Sequence, residues 1–596
     1  MTQIKILTLI ILGLFIINSS NGSPKWSKNA VWYQIFPERF RNGDTTNDPT
    51  KETLDGTWPF DPVEEWSISP WGSDWYKMQE WEIKTDKDFY YNAQRRRYGG
   101  DIQGIIDKLD YLNDLGVNAL YLNPVFESPS LHKYGATLLH HIDNNFGPNP
   151  ENDTAIIQTE NPASPKTWQW TSADKLFLDL IKECHSRDMK IIIDGVFNHV
   201  GIDFWALKRV RAEGPSSSYT NWFTIKKWDD PTTIEDEFEY EGWSGHKGLP
   251  EFKQTKNSYP ESLKSYFKAI VKRWMDPNND GNPEDGIDGW RLDVAAEVPI
   301  NFWKEFRKWV KEINPDSYIT GEIWWEDYKT NKLKNASKWI KGDAFDSVMN
   351  YRFADNCYQY FIQTESPLTT KDFTSKIKRI HSDYGYNICL SLQNLLGSHD
   401  TQRVISMIEN PNHRLDHGAN LKRNRNYAVS PLSQHNIKKA DQLLAYQFFS
   451  PGAPYIYYGD EVGMWGADDP DCRKPMIWDD IQYEDEHALP YGNHRKKGYQ
   501  VSQDKSRLNF FKRLCAIRKS NTALREGDFN VILQNNRTRM LGFRRTHKQN
   551  ECLAFFNSSD TPQEIPKVAD SMKLELFSSG TTRKIISSKG FVLFVK

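Results

Sequence analysis

Cysteine is scarce and scattered. Cys184, Cys357, Cys389, Cys472, Cys515 and Cys552 form no C-x-x-C pair in 596 residues, which argues against a zinc cluster and against a dense disulfide scaffold. An excess of one charge is also lacking. The 76 Lys and Arg face 79 Asp and Glu, a net charge of -3, so no basic field draws in nucleic acid. No internal repeat stands out, and past the N-terminus no apolar run reaches the ~20 residues of a membrane span. With 38% hydrophobic and 26% charged residues, the composition is that of neither a disordered tail nor a membrane bundle. The length allows about four domains at ~150 residues each, though one large barrel can absorb ~250 or more. Aromatic residues are abundant: 22 Trp, 27 Tyr and 31 Phe. They fill cores and, where exposed, offer flat faces to sugar rings.

The N-terminus begins with Lys5, an apolar run from Ile6 to Ile17, and small residues up to Ser20-x-Gly22. That order is a secretory signal, so residues 1–22 are expected to be removed on export, to the periplasm or beyond, leaving no membrane span. From there on, strand-like runs alternate with helical patterns. Eight runs occur: Val31–Phe36, Val117–Leu122, Lys190–Asp194, Ile287–Asp293, Tyr318–Trp325, Phe345–Tyr351, Ile388–Leu396 and Pro454–Tyr458. Helical patterns cover Ile105–Leu115, Lys175–Arg187, Ser262–Trp274, Ile300–Ile313 and Ala440–Phe449. Eight such units predict a (β/α)8 TIM barrel of class α/β over residues 23–520. The long connections, Phe126 to about Thr171 and an insertion at about 201–260, are of a size usually kept for function or small subdomains. From 521 to 596 short β runs follow without helices, an all-β domain.

Barrel chemistry belongs at the C-terminal ends of the strands. Those ends read Asp194-Gly-Val-Phe-Asn-His199, Gly289-Trp-Arg-Leu-Asp293, Gly321-Glu322-Ile-Trp324 and Ser398-His399-Asp400. One carboxylate after an apolar strand is usually a satisfied structural acid. Four converging on one rim, with no cage of metal ligands, fit glycoside hydrolysis, in which one acid protonates the leaving oxygen and another attacks or activates water. Arg291 lies two residues before Asp293, on the same strand face, and is expected to keep it ionised as a nucleophile. Glu322 has no adjacent cation in sequence, which suits the general acid.

These four segments, in order, resemble the signature regions of the α-amylase family (glycoside hydrolase family 13), over nearly the whole chain from Trp26 on. The resemblance implies a catalytic barrel, an inserted subdomain after the third strand, a C-terminal β-sandwich, and retention at an α-1,4 or α-1,6 glucosidic bond. It makes Asp293 the nucleophile, Glu322 the acid and then the base, and Asp400 the holder of the sugar's 2- and 3-hydroxyls beside His199, Arg291 and His399. Gly459-Asp-Glu-Val-Gly463 and Asp469-Pro-Asp-Cys-Arg473 are similar to the neopullulanase, cyclomaltodextrinase and maltogenic amylase group. By that resemblance Asp469 and Arg473 contact the next sugar on the non-reducing side, Tyr134 stacks at the cleavage site and Trp324 faces the leaving group. Glu297 also follows this group. Gly135 departs from it, standing where aspartate is usual, and the group's N-terminal β-domain is expected to be missing, which puts cyclodextrin preference and domain-exchanged dimers in question.

Asn42, Asp44, Asn47 and Asp48 form an oxygen-rich loop after the first strand. Turns favour the same residues. The run resembles a calcium site of neopullulanase-like enzymes, which also uses groups matching Gly99 and Asp101, so a structural Ca2+ is expected there. The expected partner is an α-glucan: starch, maltodextrin, pullulan or a cyclodextrin. A 4-α-glucanotransferase running through the same intermediate is the alternative. A non-catalytic homologue is disfavoured because nucleophile and acid are both present. Linkage preference and oligomeric state stay open at this point.

Overall fold

The computed structural model describes residues 22–230 and 232–596; nearly all of the expected export segment therefore lies outside the described residues. Eight short parallel strands, β1 (Trp32–Ile35), β2 (Ala119–Leu122), β3 (Lys190–Gly195), β4 (Gly289–Leu292), β5 (Tyr318–Gly321), β6 (Ser347–Val348), β7 (Gln393–Asn394) and β8 (Ala453–Tyr457), pair in the order β6-β5-β4-β3-β2-β1-β8-β7. A parallel bridge between Met349 and Gln393 brings the two edges together, so the sheet is a nearly closed barrel. Each run predicted as a strand overlaps one.

Helices cover the barrel because both faces of a parallel sheet must be buried. The helix Ser172–Ser186 starts at Thr171, whose hydroxyl accepts from Asp174 N–H while the Asp174 carboxylate accepts from Thr171 N–H. That reciprocal cap is worth about 1 kcal/mol. The helix buries Phe177, Leu180, Ile181 and Cys184, the i, i+3, i+4, i+7 face that packs on a core. The helix Ile300–Ile313 buries Phe302, Trp303, Phe306 and Val310 on its inner face. Between helices and strands, the Phe197 ring packs edge-on against Phe267, Trp303 and Phe306.

Several element limits differ from expectation. The Ile105–Leu115 pattern is two helices, Ile102–Asp107 and Leu109–Leu115, broken at Lys108, whose backbone leaves the helical region. β5 ends at Gly321, and Trp325–Asp327 opens a separate hairpin with Lys332–Leu333. The connection after β3 holds the helix Trp205–Glu213 and a small hairpin of Ile225–Lys227 with Glu239–Tyr240. All six cysteines are buried and unpaired.

The C-terminal strands β9 (Asn530–Asn535), β10 (Met540–His547), β11 (Asn550–Asn557), β12 (Lys573–Phe577) and β13 (Gly590–Val595) form an antiparallel sheet in the order β9-β10-β11-β13-β12. Alternation decides its two faces. Phe543, Phe556 and Phe591 point at Tyr446 and Phe449 of the barrel helix Ile437–Phe449. Met540, Leu553, Phe555, Val592 and Phe594 form a second core with Ile586 of the short ribbon Gln563–Glu564/Ile585–Ile586.

Candidate active site

Strand register assembles the site. Asp194 pairs with Arg291 across β3 and β4, and Leu292 with Gly321 across β4 and β5. The next residues, Asp293 and Glu322, therefore emerge side by side. The ladder continues past the strand ends: Asp293 N–H donates to Gly195 C=O at 3.2 Å and Glu322 N–H to Leu292 C=O at 3.0 Å. Val294, directly after Asp293, has φ of 36°, a costly conformation for a β-branched residue. It turns its N–H onto Glu322 Oε2 at 2.9 Å.

Arg291 is the fully buried hub. Its Nη1 donates to both oxygens of Asp194 and to Asp293 Oδ1, each at 2.8 Å. Its Nη2 lies 3.0 Å from Glu322 Oε2. Tyr351 Oη donates to Glu322 Oε1 at 3.3 Å. Tyr121 and Tyr134 hydroxyls donate to Asp194 Oδ2 at 2.6 and 2.8 Å.

Burial, with Glu322 and Asp194 alongside, drives the Asp293 carboxyl well above the ordinary range even though Arg291 pulls the other way. Arg291 acts on Asp293 in the direction expected from sequence, but its guanidinium is divided among three carboxylates. Burial also pushes Asp400 up to about 7, with Glu322 and Asp469 adding and Arg473 opposing.

A second cation serves Asp400. Arg473 Nη2 donates to Asp400 Oδ1 at 3.0 Å and sits 3.3 Å from Asp469 Oδ2, while its Nε donates to His399 C=O at 2.7 Å. Gln34 Nε2 lies 2.9 Å from His399 Nδ1. An amide nitrogen can only donate, so the network assigns the ring proton to Nε2. Nε2 lies 3.1 Å from Asp400 Oδ2 and 2.6 Å from Tyr134 Oη. Burial holds His399 well below the usual imidazole range and His199 down at about 3, so both rings are neutral. His199 Nε2 is buried without a hydrogen-bond partner, 4.0 Å from Asp293 Oδ2.

Asp293, Glu322, Asp400, His199, His399, Asp469 and Arg473 line a cleft of about 740 Å³ that also includes Tyr134, Trp243, Glu297, Trp324, Trp325 and Tyr328. Trp324 stacks on Tyr351 at 4.3 Å, and its buried Nε1 has no partner. Trp243 stacks on His199 and donates to Glu297 Oε2 at 2.7 Å. Nine of the ten residues expected from sequence to act on substrate line this cleft, and the tenth, Arg291, lies buried behind Asp293 and Glu322. The sequence reading did not single out Tyr121, Gln34, Trp243 or Tyr351, because their contacts join segments far apart in the chain. Asp194 stood in the quoted motif without a role.

The six residues expected to hold a cation also meet. Asn42 Nδ2 donates to Asp48 Oδ1 at 2.6 Å, and Asp44 N–H and Asn47 Nδ2 donate to Asp101 Oδ2 at 2.9 and 3.4 Å. Gly99 has φ of 75°, and a Cβ there would come 2.1 Å from Asp48 Oδ1, so only glycine fits. The amide oxygens of Asn42 and Asn47 are buried without a partner. Asp101 also caps the helix Ile102–Asp107, accepting from Gly104 N–H at 2.6 Å. Burial pushes the Asp48 and Asp101 carboxyls up to about 6.

A barrel with carboxyls bridged by a guanidinium at the base of an aromatic cleft has the plan of a glycoside hydrolase. The chain belongs to the alpha-amylase family: the family described as "Alpha amylase, catalytic domain" matches residues 34–161 and 171–527. Among curated relatives, a cyclomaltodextrinase of Thermoanaerobacter pseudethanolicus is 32% identical over 577 residues, 96% of this chain and 78% of that one. Neopullulanase 2 of Thermoactinomyces vulgaris is 33% identical over 543 residues, 91% and 72% of the two chains. Among solved structures, a cyclic α-maltosyl-(1→6)-maltose hydrolase of Arthrobacter globiformis superposes with a TM-score of 0.68 at 26% identity, covering 96% of this chain and 99% of that one.

Proposed function

We propose that this enzyme is an exported, retaining α-glucan hydrolase acting on α-1,4 bonds, and on α-1,6 bonds where the cleft admits them. The observation that carries the reading is Arg291 holding Asp293 and Glu322 through its two terminal nitrogens. In its ionised form, which Arg291 favours against burial and the neighbouring carboxylates, Asp293 attacks the anomeric carbon and forms a glycosyl-enzyme. Glu322 gives its proton to the leaving oxygen, then takes one from the water that releases the sugar. Asp400, steadied by Arg473 and His399, binds hydroxyls of the sugar being cut, and His199 Nε2 reaches another. The Trp324–Tyr351 stack supports the leaving side. The adjoining wall of Trp325 and Tyr328 favours one second reading, glucanotransfer, because it offers an acceptor sugar a stacking face. The names of the relatives, cyclomaltodextrinase and neopullulanase, support an α-glucan substrate.

We also propose a structural Ca2+ at the Asn42–Asp48 loop. The residues fit, since two buried amide oxygens without partners and the Asp48 carboxylate are hard oxygen donors. Asn42, Asn47 and Asp48 would hold the ion directly, with Asp44, Gly99 and Asp101 shaping the loop. The ion supplies cohesion, not chemistry.

The test is a product profile on starch, pullulan and a cyclic maltodextrin, with Asp293→Asn as control. Cleavage of pullulan or the cyclic sugar at rates comparable to starch supports the neopullulanase-like reading. Cleavage of starch alone points to an ordinary α-amylase, and products longer than the substrate point to transfer. No turnover of any of the three, with calcium supplied, overturns the α-glucan assignment.

A further inference from the structure

The connection after β2 carries a second group of chemistry-bearing side chains, none of which lines the catalytic cleft. His140 and His141 are neighbours at a bend of the chain, and their ring centroids lie 4.5 Å apart. Glu160 returns to them after the helix Pro150–Gln158. His140 Nε2 lies 3.4 Å from Glu160 Oε2, and His141 Nε2 lies 2.9 Å from the same oxygen. One donor atom from each residue falls within 4.8 Å of the other two. All three side chains are fully buried.

The surroundings aim these atoms at a common point. His141 Nδ1 lies 2.8 Å from Asp174 Oδ2. A carboxylate of this kind behind an imidazole commonly orients a metal-bound histidine. Gln169 N–H donates to Glu160 Oε1, so Oε2 is the oxygen turned to the rings. Trp168 stacks on His140 with centroids 4.3 Å apart. Arg273 Nη2 donates to Asp174 Oδ2 at 3.0 Å. With neutral imidazoles, Glu160 and Asp174 set against Arg273 leave one negative charge uncompensated. A second proton on His141 would balance that charge and satisfy Glu160. It would still leave His140 Nε2 buried without a hydrogen-bond partner. A cation among the three donor atoms satisfies all of them. A tetrahedral Zn2+ with bonds of about 2.1 Å holds its ligand atoms about 3.4 Å apart. The His140–Glu160 pair already has that spacing, and the His141–Glu160 pair reaches it by opening about 0.5 Å.

We propose that His140, His141 and Glu160 bind one divalent transition-metal ion, Zn2+ by its ligand chemistry, with water as the fourth ligand. Two imidazoles and a carboxylate suit Zn2+, whereas Ca2+ takes oxygen ligands. The ion is structural. It closes the loop from His140 to Glu160 and, through Asp174, ties that loop to the helix Ser172–Ser186. The same connection presents Tyr134 to the cleft, so the ion steadies the segment that carries it. The site is independent of which glucan the enzyme cuts.

The experiment titrates chelator-treated full-length protein with Zn2+ by calorimetry, in millimolar Ca2+ so that the Asn42–Asp48 loop does not compete. Wild type, His140→Gln, Glu160→Gln and Asp48→Ala are compared, with Co2+ as an optical probe. The wild type and Asp48→Ala are expected to bind one Zn2+ per chain, and Co2+ to give the intense visible bands of a tetrahedral site. His140→Gln keeps the His141 contacts to Asp174 and Glu160. It and Glu160→Gln are each expected to weaken Zn2+ binding by about 100-fold or more, a ligand being lost. Zn2+ at a hundred-fold excess over Kd is expected to raise the wild-type thermal midpoint by about 2–5 °C and that of His140→Gln by much less. Absence of both binding and a midpoint shift in the wild type overturns the proposal. Zn2+ binding that is unchanged in His140→Gln and Glu160→Gln overturns it as well.

Discussion

Arg291 faces more carboxylate than one guanidinium can neutralise. Asp194, Asp293 and Glu322 all contact it, and Asp400 is left to Arg473. The Asp293 carboxyl is raised in the fold, so above pH ~4 the folded state retains a proton that the unfolded chain has lost. Stability therefore falls as pH rises from ~4 through the raised value, and Asp400 adds a like loss between ~4 and about 7. Asp293→Asn removes the first penalty. Its thermal midpoint is expected to exceed that of the wild type at pH 8 and to match it near pH 4, while kcat drops by about 10⁴-fold or more. A midpoint gain that is the same at both pH values would contradict the electrostatic origin. Arg291→Met is expected to cost about 3–5 kcal/mol in urea unfolding, because it strands buried carboxylates. At this scale the sequence was informative where a residue's role follows from its place after a strand, as with Asp293, Glu322 and Asp400. It was silent on Tyr121, Tyr351 and Gln34, whose roles come from which strands close the barrel, and it overestimated what Arg291 does for Asp293 because pairwise spacing does not reveal a shared partner.

At the scale of elements, all eight barrel strands were legible because parallel strands buried on both faces read as apolar runs. Their ends were not. β6 and β7 are two residues each, where the runs Phe345–Tyr351 and Ile388–Leu396 predicted more. Part of the second run is the helix Tyr386–Cys389, and short apolar runs do not separate strand from helix by period. The segment between the oxygen-rich loop and Tyr98 carried no periodic signal, yet its Trp58 and Phe60 line a cavity of about 450 Å³ adjoining the cleft. The cation loop makes its own prediction. Chelation is expected to lower the thermal midpoint by about 2–5 °C, with recovery on adding millimolar calcium. Asp48→Ala is expected to abolish the response. Wild-type protein indifferent to chelator and calcium would rule out the ion.

For the whole molecule, the C-terminal sheet completes the barrel's surface. Phe543, Phe556 and Phe591 cover Tyr446 and Phe449, each ring worth about 1.5–3 kcal/mol on burial. Two fully buried arginines fasten the join. Arg518 donates to the carbonyls of Phe448, Leu524 and Gly452, and Arg545 to those of Phe449, Asp528 and Gly527. Burial beside Arg545 and Arg525 brings Arg518 down to about 9, so its role is to satisfy carbonyls and not to pair with an acid. Arg518→Met is expected to cost about 2–4 kcal/mol in urea unfolding, and a change within 0.5 kcal/mol would refute that role. No helix among the described residues is long and apolar enough to cross a membrane. Export itself is read from residues 1–22 and is checked by the N-terminal sequence of protein recovered outside the cytoplasm, expected to begin near Ser23.

The account rests on a covalent intermediate at Asp293. The most direct measurement is mass spectrometry of peptides after incubation with a slow-turnover fluorinated maltosyl fluoride. A glycosyl adduct on the peptide carrying Asp293, absent from Asp293→Asn, is the predicted result. An adduct on another carboxylate, or turnover with inversion at the anomeric carbon and no adduct, would contradict it.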